Sequence, residues 1–138
     1  MSALQGEEAR LYRAAAEAME RAYAPYSNFR VGAALLGADG RIFAGCNVEN
    51  AAYPSGTCAE RGAVSTAVAQ GTREFVLLAI ATDSSDPTPP CGFCRQVLVE
   101  FAPSLPIVSV GREGAVRRYT LADLLPHAFT PASLPTLG

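Results

Sequence analysis

Leu4, Glu7, Glu8, Leu11, Ala14, Ala15, Ala18 and Met19 fall at three- and four-residue spacings, apolar at all but the two glutamates, and this rhythm predicts an amphipathic helix over 5–22. Glu7 and Glu8 suit the positive end of such a helix. Pro25 and the polar pair Ser27-Asn28 end it. Two apolar runs of strand length, 30–36 and 41–47, are joined through Gly37-Ala38-Asp39-Gly40, whose Asp-Gly step predicts a hairpin. A loop of small residues over 51–57 leads into a helical segment, 58–70, closed by Gly71. The unbroken apolar run 75–82 predicts a buried strand. A loop with three prolines, 83–90, precedes a second short helix at 92–101. Strands at 107–110 and 115–119 and a last helical turn at 121–125 complete the pattern.

Strands separated by helices imply crossover connections and an α/β layered sheet. Two helices should cover one face, with the N-terminal helix on the other. With no internal repeat and no interdomain linker, 1–138 reads as a single domain. Residues 130–138, with two prolines and little periodicity, read as a tail or an intersubunit arm.

A chain of 138 residues, 49% of them hydrophobic, is long enough for one packed core. All eleven basic residues are arginine, which excludes a Schiff-base lysine and a P-loop. His127 is the single histidine, so any triad would have to use it. A formal charge of −2 argues against nucleic acid as a partner, since that affinity needs clustered positive charge. No stretch reaches the roughly 20 apolar residues that span a bilayer, and the acidic, amphipathic N-terminus is unlike an export signal. The expected compartment is the cytoplasm, where thiols stay reduced and four cysteines suggest metal or catalysis before disulfides.

Cys91-Gly92-Phe93-Cys94 follows Pro89-Pro90 at the start of one helical segment, and Cys58-Ala59-Glu60 opens another. Two helix N-termini aimed at one spot would gather three thiols and favour their thiolate forms. Thiolates prefer zinc, and three protein ligands leave a fourth position for water. A Cys-x-x-Cys alone is shared by redox, structural and catalytic sites. Joined to Cys-x-Glu, it matches the established signature of zinc deaminases in its three-cysteine variant.

Several further motifs extend that match: APYSNF at 24–29, VGAALL at 31–36, GCNVENAAYP at 45–54, CAER at 58–61, PCGFCRQVLVEF at 90–101 and LLPHAF at 124–129. Together they make the chain similar to the cytidine deaminase family, in its small homotetrameric form with three cysteine ligands. The resemblance implies a three-layer α-β-α fold with a central mixed sheet of about five strands. It implies one zinc per subunit on Cys58, Cys91 and Cys94, and hydrolytic deamination of cytidine and 2'-deoxycytidine to the uracil nucleosides with release of ammonia. In that chemistry zinc-bound hydroxide attacks C4 while Glu60 shuttles protons to N3 and to the departing amine.

Three thiolates on zinc leave a charge of −1 that opposes ionisation of the water. The resemblance gives Arg61 the task of offsetting it, and adjacency suggests Arg95 as a second donor to the sulfurs. Strand alternation sends Asn47 and Glu49 to one side, where an amide and a carboxylate suit a ribose hydroxyl pair, and the resemblance assigns them there. It further implies that Phe29 and Ala59 lie against the nucleoside. Phe129 would stack on the base from a neighbouring subunit, and Tyr53 would reach across an interface. A nucleoside is thus the expected ligand, in a homotetramer whose sites are completed by neighbouring subunits.

Plainer readings apply elsewhere. Cys46 reads as a small buried hydrophobe, His127 as a surface or interface residue, Glu100 as a helix-face charge, and Asp83 and Asp86 as solvated loop residues. Phe93 stands where the family commonly has a small residue, and Gly62 where it often has threonine. Competing functions are deamination of another aminopyrimidine, a structural zinc or redox dithiol module, and polynucleotide editing. The Asn-Val-Glu-Asn segment argues against the first, the poised Glu60 against the second, and the dispersed arginines against the third.

Overall fold

The structure is a computed structural model and describes residues 4–135. Its elements follow the predicted order: α1 (Glu7–Met19), β1 (Val31–Gly37), β2 (Ile42–Cys46), α2 (Ala59–Ala69), β3 (Phe75–Thr82), α3 (Gly92–Val99), β4 (Pro106–Val110), β5 (Val116–Thr120) and α4 (Leu121–Leu124). Helix α1 is shorter than its periodicity suggests, because the chain leaves it through tight turns in which Arg21 and Ala22 donate to Ala18 and Met19. Helix α3 likewise ends at Val99. The tail begins with a 3-10 turn, Pro131–Ser133, and its last three residues lie outside the described ones.

The five strands form one mixed sheet in the order β2-β1-β3-β4-β5. Of the strand pairs, β3 and β4 run parallel and the others antiparallel. Alternation along the strands divides the core into two layers. Ala33, Leu35, Leu78, Ile80 and Ile107 pack beneath α2 and α3, whereas Ala34, Leu36, Ala79 and Val108 pack against Leu11 and Ala15 of α1. This is the three-layer α/β arrangement expected, with α1 the one helix on its face among the described residues.

Strands β2, β3 and β4 run in one direction, so the segments leaving β2 and β3 emerge at the same sheet edge. There both lead into helices, and ligand sites of open α/β sheets form at such carboxyl ends. Antiparallel β1 starts at this edge, which adds Phe29 and Val31 to it.

Close packing sets the position of α2. A Cβ on Gly45 would come within 2.5 Å of the Ala63 nitrogen and 2.6 Å of the Ala59 carbonyl oxygen. Gly45→Ala is therefore expected to push α2 off β2 and to destabilise the fold by roughly 1–3 kcal/mol, read from the denaturant midpoint. An unchanged midpoint would show that α2 is not seated by this contact.

The β1–β2 hairpin is fastened by Asp39. Its carboxylate accepts from the Arg41 backbone N–H at 3.0 Å and from the Thr72 hydroxyl at 2.7 Å. These bonds, the Arg41 amide foremost, hold its carboxyl down at about 2. A lowered folded-state pKa means a contribution present above the ordinary Asp value of about 3.9 and lost as pH falls toward 2. Asp39→Asn should flatten the stability–pH curve in that window and leave its shape above about pH 5 unchanged, as checked by thermal melts across pH.

Candidate metal centre and active site

Cys58 and Cys91 occupy the positions just before α2 and α3, both with extended backbone, and Cys94 lies in the first turn of α3. The two crossovers bring them together: all three Sγ atoms lie within 4.8 Å of one another. The Cys58–Cys91 sulfur separation is 3.8 Å and the Cys91–Cys94 separation 3.5 Å. Tetrahedral zinc, with Zn–S bonds of about 2.3 Å, spaces its sulfurs about 3.8 Å apart. The thiol donors suit that ion in both chemistry and spacing. Cys46 stands outside the cluster, as expected, but it is half-buried on the edge strand β2 and not the buried core residue its sequence setting suggested.

Glu60 sits one residue inside α2 and is only 6% exposed. Its Oε1 accepts from the Cys94 thiol at 3.8 Å. Burial pushes its carboxyl up to about 7, with the Cys58 thiolate adding to the effect. Cys58 is drawn down to about 6, first by the Cys94 hydrogen bond and then, against the cost of burial, by Cys91 and the charge of Arg61. Cys94 moves the other way, raised by its bond to Cys58, by burial and by Glu60. The thiols thus divide into an easily ionised one at the cleft and a protonated one in the interior.

A cavity of about 160 Å³ opens over this cluster, equal to the liquid volume of about five waters. Asn47, Cys58, Ala59, Glu60 and Cys91 line it, so five of the residues singled out by sequence meet here. A second cleft, lined by Asn47, Glu49, Tyr53, Cys58, Arg61 and Phe93, continues outward from it. Arg61 is half-buried in that cleft, where its charge reaches Cys58.

Asn47 and Glu49 also hold backbone. Asn47 accepts from the Val31 N–H at 2.9 Å and donates to the Phe29 carbonyl at 2.8 Å. Glu49 accepts from the Tyr26 and Ser27 amides at 3.0 and 3.1 Å and from the Ser27 hydroxyl. Both side chains therefore shape the turn that delivers Phe29, which is half-buried and outside the cavity lining. Tyr53 is 75% exposed and meets the edge of Tyr26 with ring centroids 6.0 Å apart. Phe129 is exposed, and its carbonyl accepts from Gln96. His127 and Glu100 lie on the surface, in keeping with their plainer readings.

Two expectations need correction. Arg95 donates to the carbonyls of Pro90 and Leu124 at 2.8 and 2.9 Å, so its guanidinium clamps the metal loop to α4 and does not serve sulfur. Asp83 is not a free loop charge. It pairs with Arg30 through both carboxylate oxygens, at 2.9 and 3.1 Å, and closes the β1–β3 edge beside the site.

Sequence reading missed Ser109 and Thr82. Ser109 is fully buried in β4, accepts from the Thr88 amide at 3.0 Å and donates to the Thr88 carbonyl at 2.7 Å, pinning a wall of the cavity. The available signal was a lone hydroxyl inside an apolar strand. Thr82 gave the same signal at the end of β3.

Residues 6–110 match the family described as the cytidine and deoxycytidylate deaminase zinc-binding region. A cytidine deaminase of Sporosarcina psychrophila is 49% identical over 119 residues, 86% of this chain and 88% of its own length. The chain belongs to the cytidine deaminase family. Among further relatives, the cytidine deaminase of Halalkalibacterium halodurans is 46% identical, covering 87% of this chain and 92% of its own. The crystal structure of cytidine deaminase from Burkholderia pseudomallei superposes with a TM-score of 0.85 at 48% identity, over 91% of this chain and all of that one. The mixed five-stranded sheet is thus the cytidine deaminase fold, and the three-thiol cluster fits the zinc-binding region of that family.

Proposed function

We propose that the protein hydrolyses cytidine and 2'-deoxycytidine to uridine and 2'-deoxyuridine with release of ammonia. The observation that carries this reading is a buried carboxylate, Glu60, hydrogen-bonded to one thiol of a three-thiol cluster and lining the same cavity as the other two. Zinc on Cys58, Cys91 and Cys94 supplies, when bound, the Lewis acidity that activates water near neutral pH.

Glu60 then accepts a proton from that water and places it on N3 of the ring, which makes C4 electrophilic. The hydroxide oxygen adds at C4, Glu60 takes that hydroxyl's remaining proton and passes it to the amino group, and the C4–N bond breaks with the oxygen left on C4 as a carbonyl. Water enters, ammonia leaves, and the carboxylate returns to its starting state. Arg61 offsets the surplus negative charge of the thiolates. Ala59 lies against the base, and Asn47 and Glu49 hold the turn beside the sugar end of the pocket, where their remaining hydrogen-bonding capacity meets ribose hydroxyls.

Exposed rings, Tyr53 and Phe93 on the outer cleft and Phe129 on the surface elsewhere, support an assembly in which neighbours finish each site: they are 75, 79 and 59% exposed. We read this as a homotetramer in which Phe129 stacks on the base of an adjacent subunit and Tyr53 crosses the interface. A site that works through reduced thiols supports a cytoplasmic setting and a role in pyrimidine salvage. Nucleic acid and membrane partners are not part of the reading. Among the described residues no helix is long and apolar enough to cross a membrane.

The test is uridine and ammonia release from cytidine, with zinc content and light-scattering mass on the same sample. The expected result is turnover with about one zinc per chain and a mass about four times 14.4 kDa. Zinc without turnover of either nucleoside would move the substrate to another aminopyrimidine.

A further inference from the structure

Thr82 closes the row Leu78, Ile80, Thr82 on the α2–α3 face of β3, where the first two side chains are core. It is 2% exposed, and its Oγ1 is a buried polar atom without a hydrogen-bond partner among the described residues. The other buried hydroxyls here are paired: Ser109 bonds both backbone groups of Thr88, and Thr72 bonds Asp39. Thr82 is set apart by its position as well, because it lines the cavity that contains Glu60, Cys58 and Cys91.

A valine would match this side chain in shape and finish the apolar row without an orphaned oxygen. Buried hydroxyls are ordinarily satisfied, so one left open on the wall of a ligand cavity points to a partner that arrives with the ligand. Nothing among the described residues holds Oγ1 where it sits, so a turn about the Cα–Cβ bond that presents it to the cavity breaks no hydrogen bond. The surrounding frame is stiff: the Val31 and Thr82 backbones are paired, and Arg30 and Asp83 lock the next step of the same edge.

We propose that the Thr82 hydroxyl is a base-binding group, completing its hydrogen bonding on the polar edge of the pyrimidine ring held over Glu60. The inference rests on the nucleoside deaminase reading above and adds a contact on the sheet side of the pocket. A hydroxyl both donates and accepts, so it can serve the ring carbonyl of substrate and product alike.

Thr82→Val and Thr82→Ser, compared with the parent enzyme, test it through kcat and KM for cytidine, uridine affinity by calorimetry, zinc content and Tm. Thr82→Val should lower kcat/KM and weaken uridine binding by about tenfold each, the loss of one neutral hydrogen bond, with zinc and unliganded Tm maintained. Thr82→Ser should restore both to within about threefold of the parent. Valine values within about twofold of the parent overturn the inference, as does a serine variant as impaired as valine with a lowered Tm, which is packing alone. The two readings fail separately. A parent enzyme inactive on cytidine removes the deaminase reading and this contact with it, whereas an active parent matched by Thr82→Val removes only the contact.

Discussion

Glu60→Gln is expected to lower kcat for cytidine by about 10,000-fold, the upper end of what a positioned general acid–base contributes. Glutamine fills the same space and can still meet the Cys94 thiol, but it cannot take a proton from water or pass one to N3. Zinc content should stay near one per chain, and KM should change far less than kcat. That split separates a proton carrier from a packing residue. Turnover within about tenfold of the parent would remove Glu60 from the proton path.

The second large effect concerns the metal. Cys94 is fully buried and touches both Cys91 and Glu60. Cys94→Ala removes one of three thiolates with little change in volume. Zinc sites of this kind bind with on the order of 10 kcal/mol, and losing about a third of that weakens affinity more than 100-fold. The variant should be purified without zinc and without activity, and metal analysis plus the cytidine assay read both directly. Full zinc occupancy in Cys94→Ala would mean that the metal is held elsewhere. Chelation of the parent protein should produce the same inactive state, reversed by added zinc.

Arg95 and Asp83 show where sequence reading stops. A residue next to Cys94 could have bonded sulfur, but α4, which follows the β4–β5 hairpin, places the Leu124 carbonyl within 2.9 Å and the guanidinium goes there. Asp83 looks like any loop acid until β1 and β3 pair and bring Arg30 beside it. Asn47 and Glu49 line one cleft just past the end of β2, yet their backbone bonds to the 26–31 segment depend on how that segment returns across the sheet. Gly45 gave no sign of its importance, because the constraint belongs to the helix that approaches it.

The chain's own pattern determined a good deal. Apolar periodicity, Asp-Gly and Pro-Pro punctuation and strand-length runs set the number and order of elements, since each depends on residues a few positions apart. The Cys-x-Glu and Cys-x-x-Cys motifs specified the ligand chemistry only in combination, because three thiols and a carboxylate at two helix starts match the zinc deaminase signature that neither motif carries alone. Tertiary structure decided the rest. Three sulfurs within 4.8 Å, a Glu60 carboxyl raised by burial, and an unpaired Thr82 hydroxyl on the cavity wall all arise from groups far apart in sequence. Distance, desolvation and unmet hydrogen bonds are properties of what folding brings together, and no local run of residues contains them.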